Sequence, residues 1–310
     1  MKNRVKKQAL SFAAVMAMIL GGGMQLYAAD KIADTVYRNG KIYTITETVQ
    51  EAKDVKNAKK VDVVATLNGK IIFVGSEADA KAQGYLDENK VNKIVDLRGK
   101  TMLPGFVDGH SHFVWAGLMF ATQLDLSPPP VGKVKDIAEI RDVLKEKAAS
   151  TPKGEWILGY GYDDTALADR RHPLASDMDD VTPDHPVLLR HVSGHLCSCN
   201  SRALALVGYD RNTPDPLGGI IRRDGHGNPN GVLEEPPARE PVFRHIPAPT
   251  EADWMEGIKA ACAAYTAKGV TTAQDGFTAT GDWGALKRAH ELGLLRNRVQ
   301  ILPGVSRMDI

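Results

Sequence analysis

Cysteine is scarce, with three in 310 residues. Three cannot all pair within one chain, Cys197 and Cys199 are too close for an ordinary structural loop, and Cys262 is far away. A disulfide framework is thereby excluded as the organising principle. An excess of either charge is also missing, since 39 basic residues face 38 acidic ones and the formal net charge is +1. Such a chain has no long-range field to steer a polyanion, so nucleic acid is not an expected partner. Aromatic residues make up only 6%, yet 43% apolar and 25% charged is a globular composition that excludes low-complexity, collagen-like and disordered chains. Nor does any apolar run reach the ~20 residues that span a bilayer.

The longest such run, from Ala9 to Gly22, follows Lys2, Arg4, Lys6 and Lys7 and precedes small residues at Ala28 and Ala29. That order of basic, apolar and small residues reads as a secretory signal peptide over 1–29. The alternative, a membrane anchor, asks for a longer segment. No cysteine follows the run for lipid attachment. The mature chain is therefore expected without a stable membrane anchor, in the periplasm or outside the cell. Free cysteines in an oxidising compartment are a mild oddity.

Residues 35–46 (TVYRNGKIYTIT) and 61–75 (VDVVATLNGKIIFVG) each place Asn-Gly between β-rich runs and predict two hairpins. With the short run at Lys93–Leu97 they make 30–102 a small all-β layer. After Thr101 the pattern changes. Apolar positions Ile137, Ile140, Val143 and Leu144 recur at helical spacing within 136–149, and 251–268 is an Ala-rich helix stopped by Gly269. A further helix is expected over 283–294, and strands over 156–162, 186–192, 270–273 and 299–305. The Gly/Pro/Asn-rich stretch 213–231 reads as long loops with a hairpin at 219–224. Strands alternating with helices imply a parallel α/β core.

The run LPGFVDGHSH ends in His110 and His112. Residues two apart on an extended strand project to the same side, so the two imidazoles can grip one metal ion. Two polar turn residues are the plain alternative; the context of a strand end raises the metal reading.

That run, Leu103–His112, behind the strand-turn pattern of 35–102, resembles the opening of amidohydrolase-superfamily metal-dependent hydrolases. Trp156–Asp163 (WILGYGYD), Gly194–Leu204 (GHLCSCNSRAL), Gly231–Glu235 (GVLEE) and Gly269–Gly276 (GVTTAQDG) resemble the amidohydrolase 3 type branch that contains N-substituted formamide deformylase. The resemblance runs in order over 33–305. It implies an α/β fold in which a (β/α)8 TIM-like barrel stands beside a small β-sandwich formed by both ends of the chain. It also implies one or two divalent ions, usually zinc, and a metal-activated water that attacks carbon–nitrogen bonds of small amides. His110 and His112 match the first-strand ligands.

A complete barrel takes roughly 250 residues, and the later His and Asp motifs of the family have no counterpart. The expectation is a partial barrel over 103–310, the N-terminal part of a longer hydrolase, with an insertion at about 164–250. A non-catalytic half-barrel binding or scaffold remnant is the alternative. Open sheet edges in such a barrel invite another chain, so a homo-oligomer is among the expectations.

Within this frame Glu235 is a candidate to bridge metals or act on protons, with a solvated Glu as the alternative. Asp275, at a strand end, is a second catalytic candidate, with a helix cap as the alternative. His195, Asn200 and Trp115 are candidate substrate contacts, His195 standing against a hydrogen-bonded loop histidine. His191 and His195 with Cys197 and Cys199 form a weaker candidate for a structural zinc site. Asp108 reads as a partner of the metal histidines or a polar strand end, and Asp163 and Asp164 as caps. His172, His185, His226, His245 and His290 read as surface residues.

Overall fold

The computed structural model describes residues 31–45 and 59–304. The expected signal segment lies outside them. The chain divides into two compact units, Met1–Pro104 and Gly105–Ile310.

The first unit holds β1 (Ala33–Tyr43), β2 (Lys60–Leu67), β3 (Lys70–Gly75), α1 (Glu77–Ala82), β4 (Val91–Asp96) and β5 (Thr101–Met102). They form one sheet in the order β3-β2-β1-β4, with β5 also beside β1. The Asn68-Gly69 hairpin forms as expected between β2 and β3. Both residues have positive φ, 50° and 72°, as a type I′ turn requires. Asn39-Gly40 does not turn. β1 runs straight through it, and its register with β2 slips between Arg38 and Ile42. The cause lies far along the chain: β4 and β5 pair with β1 in parallel and hold it extended. Asn39 donates to Asp96 Oδ1 at 2.8 Å. A Cβ on Gly40 would lie 2.5 Å from the Leu97 side chain, so only glycine passes. Ala33, Val36, Val63, Ala65, Ala80 and Val91 bury the core of this unit.

The second unit begins with β6 (Phe106–Val107), α2 (Phe113–Thr122), β7 (Leu124–Asp125), α3 (Ile137–Ser150) and β8 (Ile157–Tyr162). It continues with α4 (Ala175–Met178), β9 (Val187–His191), β10 (Leu196–Cys199), α5 (Ser201–Leu206), β11 (Ile220–Arg223) and β12 (Pro229–Glu234). The last elements are α6 (Glu235–Phe243), α7 (Glu251–Ala267), β13 (Val270–Thr278), α8 (Thr280–Glu291) and β14 (Arg298–Pro303).

Two sheets result. One is parallel, β14-β13-β6. The other has the order β11-β12-β10-β9-β8-β7, parallel from β7 to β9 and antiparallel beyond. The stretch 213–231, read as long loops with a hairpin at 219–224, supplies β11 and part of β12, an antiparallel pair whose turn falls later, at 224–228. Its turn is closed by Asp224, whose Oδ1 accepts the N–H groups of His226 and Asn228 at 2.9 Å.

The helices follow their local signals. Asp136 caps α3 by accepting the Glu139 N–H at 2.8 Å, and Ile137, Ile140 and Leu144 are buried beneath it. Thr250 and Asp253 cap α7 reciprocally, and Gly269, with φ 79°, follows its end. Phe113 and Val114 of α2, Ile258 and Ala261 of α7, Ala273 of β13 and Leu286 of α8 share one core. That core positions the loop carrying His110 and His112. Among the described residues, no helix is long and apolar enough to cross a membrane.

Candidate functional site

β6 ends at Val107, so strand alternation does not bring the two histidines together. A turn does. Asp108 accepts the His110 N–H at 3.1 Å, Ser111 Oγ donates to Gln274 O at 2.7 Å, and Gly276 N–H donates to Ser111 O at 2.8 Å. These bonds fix the turn against the C-terminal part of β13. His112 stands at the N-cap of α2 and bridges to Asp275. The His110 and His112 rings meet edge to face with centroids 5.6 Å apart.

Three observations fit this pair to a divalent ion. His112 Nδ1 donates to Gly276 O at 2.7 Å, which fixes the tautomer and leaves Nε2 as a lone-pair donor, the usual arrangement of a ligating histidine. Both Cε1 atoms close on Gly276, at 3.5 and 3.7 Å from where a Cβ would stand, so the glycine keeps the space between the rings clear. Both residues are exposed. Imidazole nitrogens suit zinc and its neighbours.

Asp275 is placed differently from the catalytic expectation. It is 1% exposed. Its Oδ1 accepts the Val114 N–H at 2.9 Å, and its Oδ2 accepts from Thr278 Oγ1 at 2.7 Å. Both oxygens are engaged, and the carboxylate caps α2, the helix whose N-cap is His112. This is the cap alternative, applied to a helix distant in sequence.

His195 and Glu235 do come together. His195 Nδ1 donates to Glu235 Oε2 at 3.0 Å, and Glu235 N–H donates to His195 O at 2.9 Å. Glu235 adopts φ 62°, an unusual region for a non-glycine residue, at the junction of β12 and α6. Arg239 Nη1 donates to Gly194 O at 2.6 Å and fixes the turn before His195. The side chains are accessible, at 65% and 47%.

Asn200 is not placed as a substrate contact, because it is 1% exposed and fully used inside the protein. Its Oδ1 accepts the N–H groups of Val187 and Ala203, capping α5, and its Nδ2 donates to His185 O at 2.8 Å. Trp115 is 41% exposed on α2, with the Arg190 guanidinium 5.8 Å from its ring. Arg190 also lies 4.4 Å over Phe243, and burial pushes its pKa down. Cys197 and Cys199 are buried in the core, 4.0 Å apart, which does not favour the weaker zinc candidate with His191 and His195. The contact with Cys197 and then burial push the Cys199 thiol well up.

His172 and His185, read as surface residues, are 8% and 3% exposed. His172 joins Asp164 and His191 in a cluster whose ligand atoms all lie within 4.8 Å of one another. Burial pushes the His172 imidazole below its usual pKa. No spacing signal marks this cluster. Its members come from two segments, the connection after β8 that carries Asp164 and His172 and the end of β9 that carries His191.

The fold is α/β, and it is similar to that of solved structures described as metal-dependent hydrolases. An uncharacterized metal-dependent hydrolase from Pyrococcus horikoshii OT3 superposes with a TM-score of 0.57 at 25% identity, over 87% of this chain and 48% of that one. The chain belongs to the Amidohydrolase family, whose profile matches residues 93–308. Among its relatives, the N-substituted formamide deformylase of Arthrobacter pascens is 30% identical over 254 residues, 81% of this chain and 45% of that protein. The exoenzymes regulatory protein AepA of Pectobacterium carotovorum is 31% identical over 214 residues, 68% of this chain and 42% of that protein. The chain thus spans less than half the length of these relatives.

Proposed function

We propose that this chain carries the first metal-binding segment of an exported hydrolase that cleaves carbon–nitrogen bonds of small amides. N-substituted formamides are the first class to test, since one relative bears that name. The observation that carries the reading is the fixed tautomer of His112 beside His110 over Gly276. In this reading His110 and His112 hold a divalent ion of the zinc class. When bound, such an ion supplies Lewis acidity and lowers the pKa of a coordinated water towards ~7.

The other residues prepare the site for that chemistry. The Gly276 carbonyl orients His112, and Asp275 holds the start of α2 so that His112 keeps its place. Glu235 keeps a proton on His195 Nδ1 and leaves Nε2 free to accept or deliver one at substrate. Trp115 and Arg190 offer an apolar face and a cation for the substrate's remaining groups. The architecture of this reading is a (β/α)8 barrel that includes parallel strands β6, β13 and β14, with the first unit as part of a small β-sandwich. The segment 1–29 directs the chain to the periplasm or the exterior.

The test is hydrolysis of a panel of N-substituted formamides and other small amides, followed by amine release. The unaltered protein is expected to turn over at least one of them, and His110→Ala/His112→Ala to fall to the uncatalysed background. His195→Gln is expected to lose about 10²–10⁴-fold in kcat, the contribution of a positioned acid–base group. Equal rates in the unaltered protein and the double variant would overturn the reading.

A further inference from the structure

A second set of donors stands where β8 and β9 end. His191 Nε2 lies 2.9 Å from Asp164 Oδ1, and His172 Nε2 lies 3.7 Å from Asp164 Oδ2. The His172 and His191 side chains are each 10% exposed and that of Asp164 is 26% exposed, so the cluster is largely withdrawn from solvent.

Hydrogen bonding allows His172 to present a lone pair to Asp164. Ser198 Oγ has one proton, and it is donated to Pro173 O at 2.7 Å. Tyr162 OH has one proton and two acceptors within reach, Ser198 Oγ at 3.2 Å and His172 Nδ1 at 3.3 Å. When it donates to Ser198 Oγ, the Tyr162 oxygen accepts from His172 Nδ1–H, and the Nε2 lone pair faces the Asp164 carboxylate. An ion between them selects that tautomer. Two acceptors facing each other inside a protein repel unless a cation lies between them.

His191 starts from the other tautomer. Its Nδ1 accepts the Ser193 N–H at 3.2 Å, with Ser193 Oγ at 2.8 Å, and its Nε2–H donates to Asp164. Metal binding moves the ring proton from Nε2 to Nδ1, where Ser193 Oγ accepts it and the Ser193 N–H contact is given up; Nε2 becomes a ligand and no net proton is released. A tetrahedral ion with bonds of about 2.1 Å needs donors roughly 3.4 Å apart. The separations of 2.9 and 3.7 Å, within a set spanning at most 4.8 Å, lie on either side of that figure.

We infer that Asp164, His172 and His191 form a second divalent-metal site, separate from His110 and His112, that takes a zinc-class ion through two imidazoles and one carboxylate. Two nitrogens and an oxygen match zinc in softness and leave a fourth position for solvent. The hydroxyls of Tyr162 and Ser193 behind the two rings are the outer partners that ligating histidines require. The ion would tie the segment after β8 to the end of β9.

The test is metal titration of the full chain after chelator treatment, with zinc and with cobalt alone, by elemental analysis and visible absorption. His110→Ala/His112→Ala is expected to keep one tightly held equivalent. With cobalt, its absorption should be that of a low-coordinate nitrogen–oxygen site. Adding Asp164→Asn to that variant is expected to remove the equivalent while circular dichroism remains unchanged. Adding Tyr162→Phe instead is expected to keep the stoichiometry and weaken affinity about 10–100-fold. If Asp164→Asn disturbs the fold, X-ray absorption of the zinc-loaded double variant decides, with two imidazoles at the ion expected. No metal in the double variant, or an equivalent that survives Asp164→Asn in a folded chain, would overturn the inference. Failure of the His110–His112 reading gives a different result, namely equal metal in the unaltered protein and the double variant.

Discussion

Gly117→Val will cost the second unit about 3 kcal/mol or more, the upper range for overpacking in a core that cannot relax. Helices α2 and α7 cross with their backbones almost touching at this point. A Cβ on Gly117 would stand 2.2 Å from the Gly257 carbonyl oxygen and 2.7 Å from Ala261 Cβ. On the facing helix, a Cβ at Gly257 would meet Leu118 backbone atoms at 3.0 Å. The obstructing atoms are mainly backbone, so no rotamer change relieves the clash, and the helices must separate. Since α2 starts at His112, the same displacement should weaken metal binding at the histidines. Urea unfolding with a parallel zinc titration measures both effects. A valine variant within 0.5 kcal/mol of the unaltered protein, roughly the range of ordinary surface changes, would contradict this packing.

Asp275→Ala carries the second large effect, a loss of about 2–3 kcal/mol. The buried Val114 N–H loses its acceptor at a helix start, where a carboxylate also meets the favourable end of the helix dipole. Asp275→Asn keeps an oxygen for Val114 and should recover most of the loss, to within about 1 kcal/mol. The two variants separate capping from proton handling. If the residue only caps, asparagine should preserve stability and, in a protein that turns over amide, most of the rate. Destabilisation by asparagine as large as that by alanine would show that the negative charge, rather than the hydrogen bond, holds α2.

The features legible in the sequence are the local ones. Asn68-Gly69 turns because β2 and β3 on either side of it pair with each other, and α3 and α7 start at Asp136 and Thr250 because their caps lie within three residues. Asn39-Gly40 carries the same turn signal and is overridden by β4 and β5, which follow more than 50 residues later in the chain. Of the candidate site, His110 and His112 were visible as a motif, although a turn rather than strand alternation joins them. His195 and Glu235 pair across 40 residues, a contact that neither motif announced by itself. Asn200 was misread because a buried cap and a substrate ligand look alike in a sequence. The Asp164–His172–His191 cluster had no signature, since parallel pairing of β8 with β9 and the buried Tyr162 create it only in the fold.

The central claim is that His110 and His112 hold a divalent ion. Its most direct measurement is elemental analysis of the purified protein beside His110→Ala/His112→Ala, both dialysed against the same dilute zinc. The account expects the unaltered protein to hold at least one equivalent more than the variant, with both folded by circular dichroism. Equal zinc in the two would contradict it.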